Sequence, residues 1–138
     1  MAVVSLLIPV IPTGKGRPRL TTQGGFAHTY TPPKTRQAED EIRTHLNRLW
    51  HGKPLEGQIS MDVTFFMSIA KSTSRKRANA MIGKPHSSKP DLDNLLKLLC
   101  DALNGIVFKD DSQIWNLTSE KQYHSYPRIE VSIEETDL

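Results

Sequence analysis

From Ile59 to Ile69 every second residue is apolar (Ile59, Met61, Val63, Phe65, Met67 and Ile69), and Ser60, Asp62, Thr64 and Ser68 stand between them. A period of two over eleven residues is the mark of a β-strand with one face in a core and the other in water. A half-buried strand needs partner strands and a layer that covers its apolar face. The rest of the chain offers both. Val3 to Ile11 is nearly continuously apolar and β-branched, the pattern of a strand covered on both faces. Ile114 to Tyr123 and Arg128 to Ile133 read as two more strands joined by a turn at Ser125 to Pro127, the last alternating through Ile129, Val131 and Ile133.

Two segments carry helical spacing instead. Pro32 and Pro33 open the first, with Thr31 as its cap, Ala38, Ile42, Leu46, Leu49 and Trp50 recurring along it, and Gly52 beyond its end. The second runs from Leu92 to Asn104, with Leu92, Leu95, Leu96, Leu99 and Leu103 on one side, Asp93, Asn94, Lys97 and Asp101 on the other, and Gly105 as a stop. Between these elements lie a glycine-rich basic loop, Thr13 to Gly25, a short extended piece, Phe26 to Tyr30, and a polar basic stretch, Lys71 to Lys89, with one or two helical turns around Arg75 to Met81. Both basic stretches are expected to be mobile. The fold expected is α+β, a mixed sheet of about four strands packed against two main helices.

At 138 residues the chain fills one domain, residues 1–138, with one modest core. The apolar run at Val3 to Ile11 is broken by Ser5 and Pro9 and lacks a basic leader, so it reads as a strand and not as a membrane span or signal peptide. A cytoplasmic protein without membrane contact is expected. The single cysteine, Cys100, excludes an internal disulfide and a cysteine-based zinc site, and its leucine-rich setting makes it a small buried hydrophobe.

Net charge is only +3, but it is segregated. Residues 1–50 hold seven Lys/Arg against three Asp/Glu, residues 51–90 seven against two, and residues 91–138 four against ten. Residues 1–38 and 63–90 contain no acid at all. Lys15, Arg17 and Arg19 in the first stretch, and Arg75, Lys76, Arg77 and Lys89 in the second, suit a phosphate backbone. Read this way, the loop cations contribute DNA affinity and little stability.

The acids begin where the basic stretch ends. Lys89-Pro-Asp-Leu-Asp-Asn-Leu-Leu-Lys97 sets two carboxylates at a helix start, and Asp110-Asp111 follows in the loop before the next strand. Each feature has a plain structural explanation: Asp91 as a helix cap, Asp93 with Lys97 as an i,i+4 ion pair, Asp110-Asp111 as a turn. Those explanations leave the juxtaposition of acids with a phosphate-binding stretch unaccounted for. Carboxylates there repel nucleic acid unless a divalent cation intervenes, which favours a metal-dependent phosphodiesterase. Residues i and i+2 point about 200° apart in a helix, so Asp91 and Asp93 converge only if Asp91 keeps a non-helical backbone, as Pro90 allows.

These residues also carry a resemblance. Lys89-Pro-Asp-Leu-Asp-Asn-Leu-Leu-Lys97, Asp101-Ala-Leu103 and Asp110-Asp-Ser-Gln-Ile114 resemble the signature of the RusA family of Holliday-junction resolvases. Gly14-Lys-Gly-Arg-Pro-Arg19 and Tyr30-Thr-Pro-Pro-Lys-Thr35 are similar to the form found in Gram-positive bacteria and their phages. The resemblance runs from about residue 8 to the final strand. It implies magnesium, with manganese able to substitute, bound by Asp91, Asp93 and Asp111, and a catalytic lysine at Lys97. Asp101 matches no metal position, and the role of Asp110 stays open. It further implies a homodimer that nicks opposed strands of a four-way junction during recombination and repair. His28, His45, His51, His86 and His124 sit in no motif and read as surface or packing residues. Two other functions stay open at this point: a nuclease for flaps, forks or RNA, and a DNA-binding module whose acids only stabilise helix ends.

Overall fold

The computed structural model describes residues 2–16 and 19–136. In chain order the elements are β1 (Ala2–Ile8), β2 (Arg19–Thr21), β3 (His28–Tyr30), α1 (Pro33–Leu49), β4 (Gln58–Met67), α2 (Arg75–Met81), α3 (Leu92–Leu103), a 3-10 turn (Asp111–Gln113), β5 (Ile114–Tyr123) and β6 (Arg128–Thr136). The architecture is the α+β one expected, with a four-stranded mixed sheet in the order β1-β6-β4-β5 and a two-stranded β2-β3 ribbon.

The alternating strand, β4, lies inside the sheet, antiparallel to β6 and parallel to β5. Ile59, Met61, Val63, Phe65 and Met67 are buried on one face, and Asp62 is exposed on the other. A central strand keeps its alternation here because the helices cover only one face of the sheet. On that face α1 adds Ile42 and Leu46, and α3 adds Leu95, Leu98, Leu99 and Leu103. Full burial of a leucine- or isoleucine-sized side chain stabilises by about 1.5–3 kcal/mol, so this layer holds the helices on the sheet.

Three expectations need correction. β1 is an edge strand paired only with β6, and Val3 and Leu7 are 65% and 44% exposed, so it is covered on one face and not on both. Pro9 ends it at Ile8, well before Ile11. Thr31 does not cap α1; Pro32 occupies that position, where the entry is set by fixed proline geometry without a side-chain hydrogen bond. The turn after β5 leads into β6, but β4 lies between the two. A parallel β4-β5 pair needs a long crossover, and α2 and α3 provide it.

The basic stretch at residues 71–89 is also more ordered than expected. Ser74 caps α2 by accepting from the Arg77 amide at 3.3 Å. Beyond it the chain is tied to the outer edge of β5: Gly83 N–H donates to Tyr123 O at 2.9 Å, Tyr123 N–H to Lys84 O at 3.0 Å and His86 N–H to Lys121 O at 3.1 Å. His86 is buried against the Tyr123 ring, as a packing histidine, and burial holds its pKa below the usual value. Among the described residues no helix is long and apolar enough to cross a membrane.

Candidate active site

The start of α3 organises the acidic motif. Asp91 is its N-cap, with extended backbone at φ −66° and ψ 146°, so the i,i+2 divergence of an ideal helix does not apply to Asp91 and Asp93. The Asp91 side chain makes no cap hydrogen bond. Both of its oxygens instead accept from Lys89 Nζ, at 2.8 and 3.0 Å, and this contact holds the carboxyl below its ordinary pKa. Asp93 is exposed, and its Oδ1 accepts from the Asn94 amide at 3.0 Å. The simple explanation for Lys97 does not hold either: its ion pair, at 3.7 Å, is with Asp101 and not with Asp93.

The aspartate doublet divides its work. Asp110 caps the 3-10 turn: its side chain accepts from Ser112 N–H at 3.0 Å, while its own N–H donates to Gln113 Oε1 at 2.9 Å. The Gln113 side-chain amide then donates to Leu55 O at 3.0 Å and Gly57 O at 2.9 Å, fastening the turn to the chain before β4. The Ser112 contacts hold the Asp110 carboxyl below its usual pKa. Asp111 has no ion pair or side-chain hydrogen bond among the described residues, so its carboxylate is available to a ligand. The turn lies beside the second half of α3, because the Asp111 charge acts on Cys100. Burial, and then the Asp111 and Asp101 charges, push that thiol up to about 11. Cys100 is thus the inert buried residue expected.

Asp91 and Asp93 stand at the start of α3 and Asp111 in the 3-10 turn, and among the described residues no three His, Cys, Asp or Glu side chains form a group that could hold a metal ion. Their chemistry nevertheless fits magnesium, which keeps several waters and is held by one or two carboxylates together with substrate phosphate.

Lys121 was missed by sequence reasoning. From β5 its ammonium donates to Ser88 O at 2.6 Å and Pro90 O at 2.7 Å, clamping the segment that delivers Asp91 to the helix start. A signal existed: Lys121 pairs with buried Phe65, so a cation stands on the sheet face where the alternation calls for an apolar residue.

The predicted DNA contacts fare unequally. Lys15 faces inward: Lys15 Nζ is bonded to Asp101 and lies 3.6 Å from Glu39, and the Asp101 contact raises its pKa. Its own backbone is pinned as well, with Lys15 N–H donating to Asn94 O at 3.0 Å and Gly16 N–H to Thr35 Oγ1 at 2.8 Å. A Cβ at Gly14 would stand 2.9 Å from Pro90 Cβ, so only glycine allows this approach. Residues 13–16 are therefore packed between α1 and α3, and Lys15 is a tie between helices rather than an open phosphate ligand. Arg17 lies outside the described residues; Arg19 opens β2, and its side chain lies outside them too. Arg75, Lys76 and Arg77 are exposed on α2, and Lys89 is exposed beside Asp91. A groove of about 970 Å³ is lined by residues 11–16, Lys15 among them, and by Lys34, Lys89, Pro90, Asp91 and Asn94.

Residues 9–134 match the model of a protein family described as endodeoxyribonuclease RusA. The chain is also 33% identical over 129 residues to the uncharacterized protein YqaN of Bacillus subtilis (strain 168), a similarity covering 90% of each chain.

Proposed function

The chain belongs to the RusA endodeoxyribonuclease family, and from that premise we propose that it is a magnesium-dependent endonuclease of the cytoplasm that resolves Holliday junctions by paired nicks in opposed strands. The observation that carries the reading is the set of carboxylates around α3 that do not cap a helix: Asp91 makes no cap bond and pairs only with the exposed Lys89, and Asp111 has no protein partner among the described residues while Asp110 does the capping.

Asp91, Asp93 and Asp111 would hold the cation, with manganese able to replace magnesium. A cation held there would supply Lewis-acid chemistry, polarising the scissile phosphate and making a water more acidic. Lys97, exposed between the two acidic ends of α3, supplies positive charge to the phosphate as negative charge develops on its oxygens. Lys121 keeps the Ser88–Pro90 segment, and with it Asp91, in place during this step. Arg75, Lys76, Arg77 and Lys89 hold the backbone of the arms, with Arg17 and Arg19 as candidates from the amino-terminal loop. A junction presents two equivalent strands, so a twofold homodimer with one site per subunit matches its symmetry.

The test is cleavage of labelled four-way junction, flap, fork and linear duplex, with magnesium, manganese or EDTA. Paired nicks in the junction, abolished by EDTA and by Asp91→Asn, Asp93→Asn or Asp111→Asn with junction binding retained, are the expected outcome. Preferential cutting of flaps would reassign the substrate, and cleavage undiminished in EDTA would remove the metal site.

A further inference from the structure

An exposed tryptophan stands next to the carboxylate site. Trp115 is 67% exposed and Leu117, two residues on, is 41% exposed. Both lie near the start of β5, directly after the 3-10 turn that carries Asp111. The pairing of β5 with β4 slips by one residue between Ile59 and Ser60, so Ile59 faces Ile114 while Ser60 faces Asn116, and Trp115 is left without a partner on β4. Leu117 pairs with buried Met61 and Lys121 with buried Phe65, so from Leu117 onward the odd-numbered residues of β5 lie on the sheet face that α3 covers. β5 is the outer strand, and among the described residues the backbone hydrogen bonds to its outer edge reach only Lys121–Tyr123, not the first half of the strand.

Register shifts at sheet edges re-aim a side chain, and a large aromatic left mostly in water gains little from burial. Its surroundings select the partner. Asp111 precedes it by four residues, and Lys97 is close enough to bear on neighbouring Asp110. A nucleic-acid strand whose phosphate reached Asp111 would have its bases within range of a side chain four residues along the chain. A base can stack on an indole only where it is unstacked from its own neighbours, as at the crossover of a branched DNA.

We propose that Trp115 is a stacking platform for an unpaired or unstacked base beside the cleaved phosphate, with Leu117 supporting the apolar ledge. The platform gives the enzyme a preference for branched over continuous duplex DNA. This rests on the nuclease reading above but is tested by binding without cleavage.

In EDTA, wild type, Trp115→Phe and Trp115→Ala are titrated against four-way junction and linear duplex by fluorescence anisotropy, with 2-aminopurine at the crossover in a parallel set. Trp115→Ala should weaken junction binding about 5- to 150-fold, the equivalent of about 1–3 kcal/mol per stacked base. Duplex binding should stay within twofold, and the 2-aminopurine quench seen with wild type should be lost. Trp115→Phe should recover most of both signals. Equal weakening on junction and duplex, or wild-type binding by Trp115→Ala, would overturn the proposal. So would a change in sedimentation of Trp115→Ala, which would mark the ledge as an interface between copies of the chain. Failure of wild type to cut any branched DNA would sink the nuclease reading and leave this binding result standing by itself.

Discussion

Lys15 was read from sequence as a DNA contact and stands in the structure as a tie between α1 and α3, and replacing it by methionine separates the two roles. Its ammonium bridges Asp101 and Glu39, and the side chains of Lys15 and Asp101 retain only 24% and 19% exposure. An open surface pair would contribute about 0.2–1 kcal/mol. Removing one partner of a fully buried pair costs about 3–5 kcal/mol because the other charge is stranded. This pair lies between those limits, and its loss also leaves Asp101 and Glu39 without the cation between them, so a destabilisation of about 1–3 kcal/mol is expected from those two limits. In a domain of this size each kcal/mol lowers Tm by about 3–5 °C, so thermal unfolding at pH 7 should shift down by roughly 3–15 °C. The folded state raises the Lys15 pKa above 10.5. Its contribution is therefore present through neutral pH and is lost as pH rises through the folded pKa, so the gap between wild type and Lys15→Met stays constant through neutral pH and narrows in strong alkali. In a double-mutant cycle with Asp101→Asn, the coupling should account for most of the loss. The salt slope of junction binding should not change, because an inward-facing ammonium releases no counterion from DNA. Stability within 0.3 kcal/mol of wild type (roughly the error of additivity), together with a salt slope reduced by about one, would refute the tie and restore Lys15 as a phosphate ligand.

Lys97→Ala should slow single-turnover cleavage of pre-bound junction on the order of 10²–10³-fold at saturating magnesium. Its exposed 3.7 Å pair with Asp101 accounts for only about 0.5 kcal/mol of stability, and a rate within threefold of wild type would leave it a surface ion pair. Lys121→Met should raise the magnesium concentration needed for half-maximal cleavage while the rate at saturation changes much less, with Lys121→Arg partly restoring it; an unchanged magnesium titration would remove Lys121 from the positioning role. Asp110→Ala should lower stability by about 0.5–2 kcal/mol through loss of the capping box, measured by urea unfolding, with cleavage retained at temperatures where the fold is intact. Full stability with abolished cleavage would instead make Asp110 a ligand.

What the sequence determined by itself is what depends on near neighbours along the chain. The period-two run in β4 and the leucine spacing of α3 follow from local geometry and were enough for the α+β class, while the juxtaposed acids pointed to a candidate site and the resemblance added Lys97 to it. The extended backbone at Asp91 was also foreseeable, because proline restricts the segment around it. What tertiary structure decided is which distant groups meet. That Lys15 pairs with Asp101, 86 residues away, follows from α1 packing on α3, and a cation in a basic loop carries no local sign of it. That β4 separates β5 from β6, that Lys121 reaches back to Pro90, and that Asp110 caps while Asp111 stays free all depend on strand pairing and on the staples made by Gln113. Hydrophobic periodicity specifies which face of an element is buried but not which element covers it, so it located the acids along the chain and left their partners to the packing.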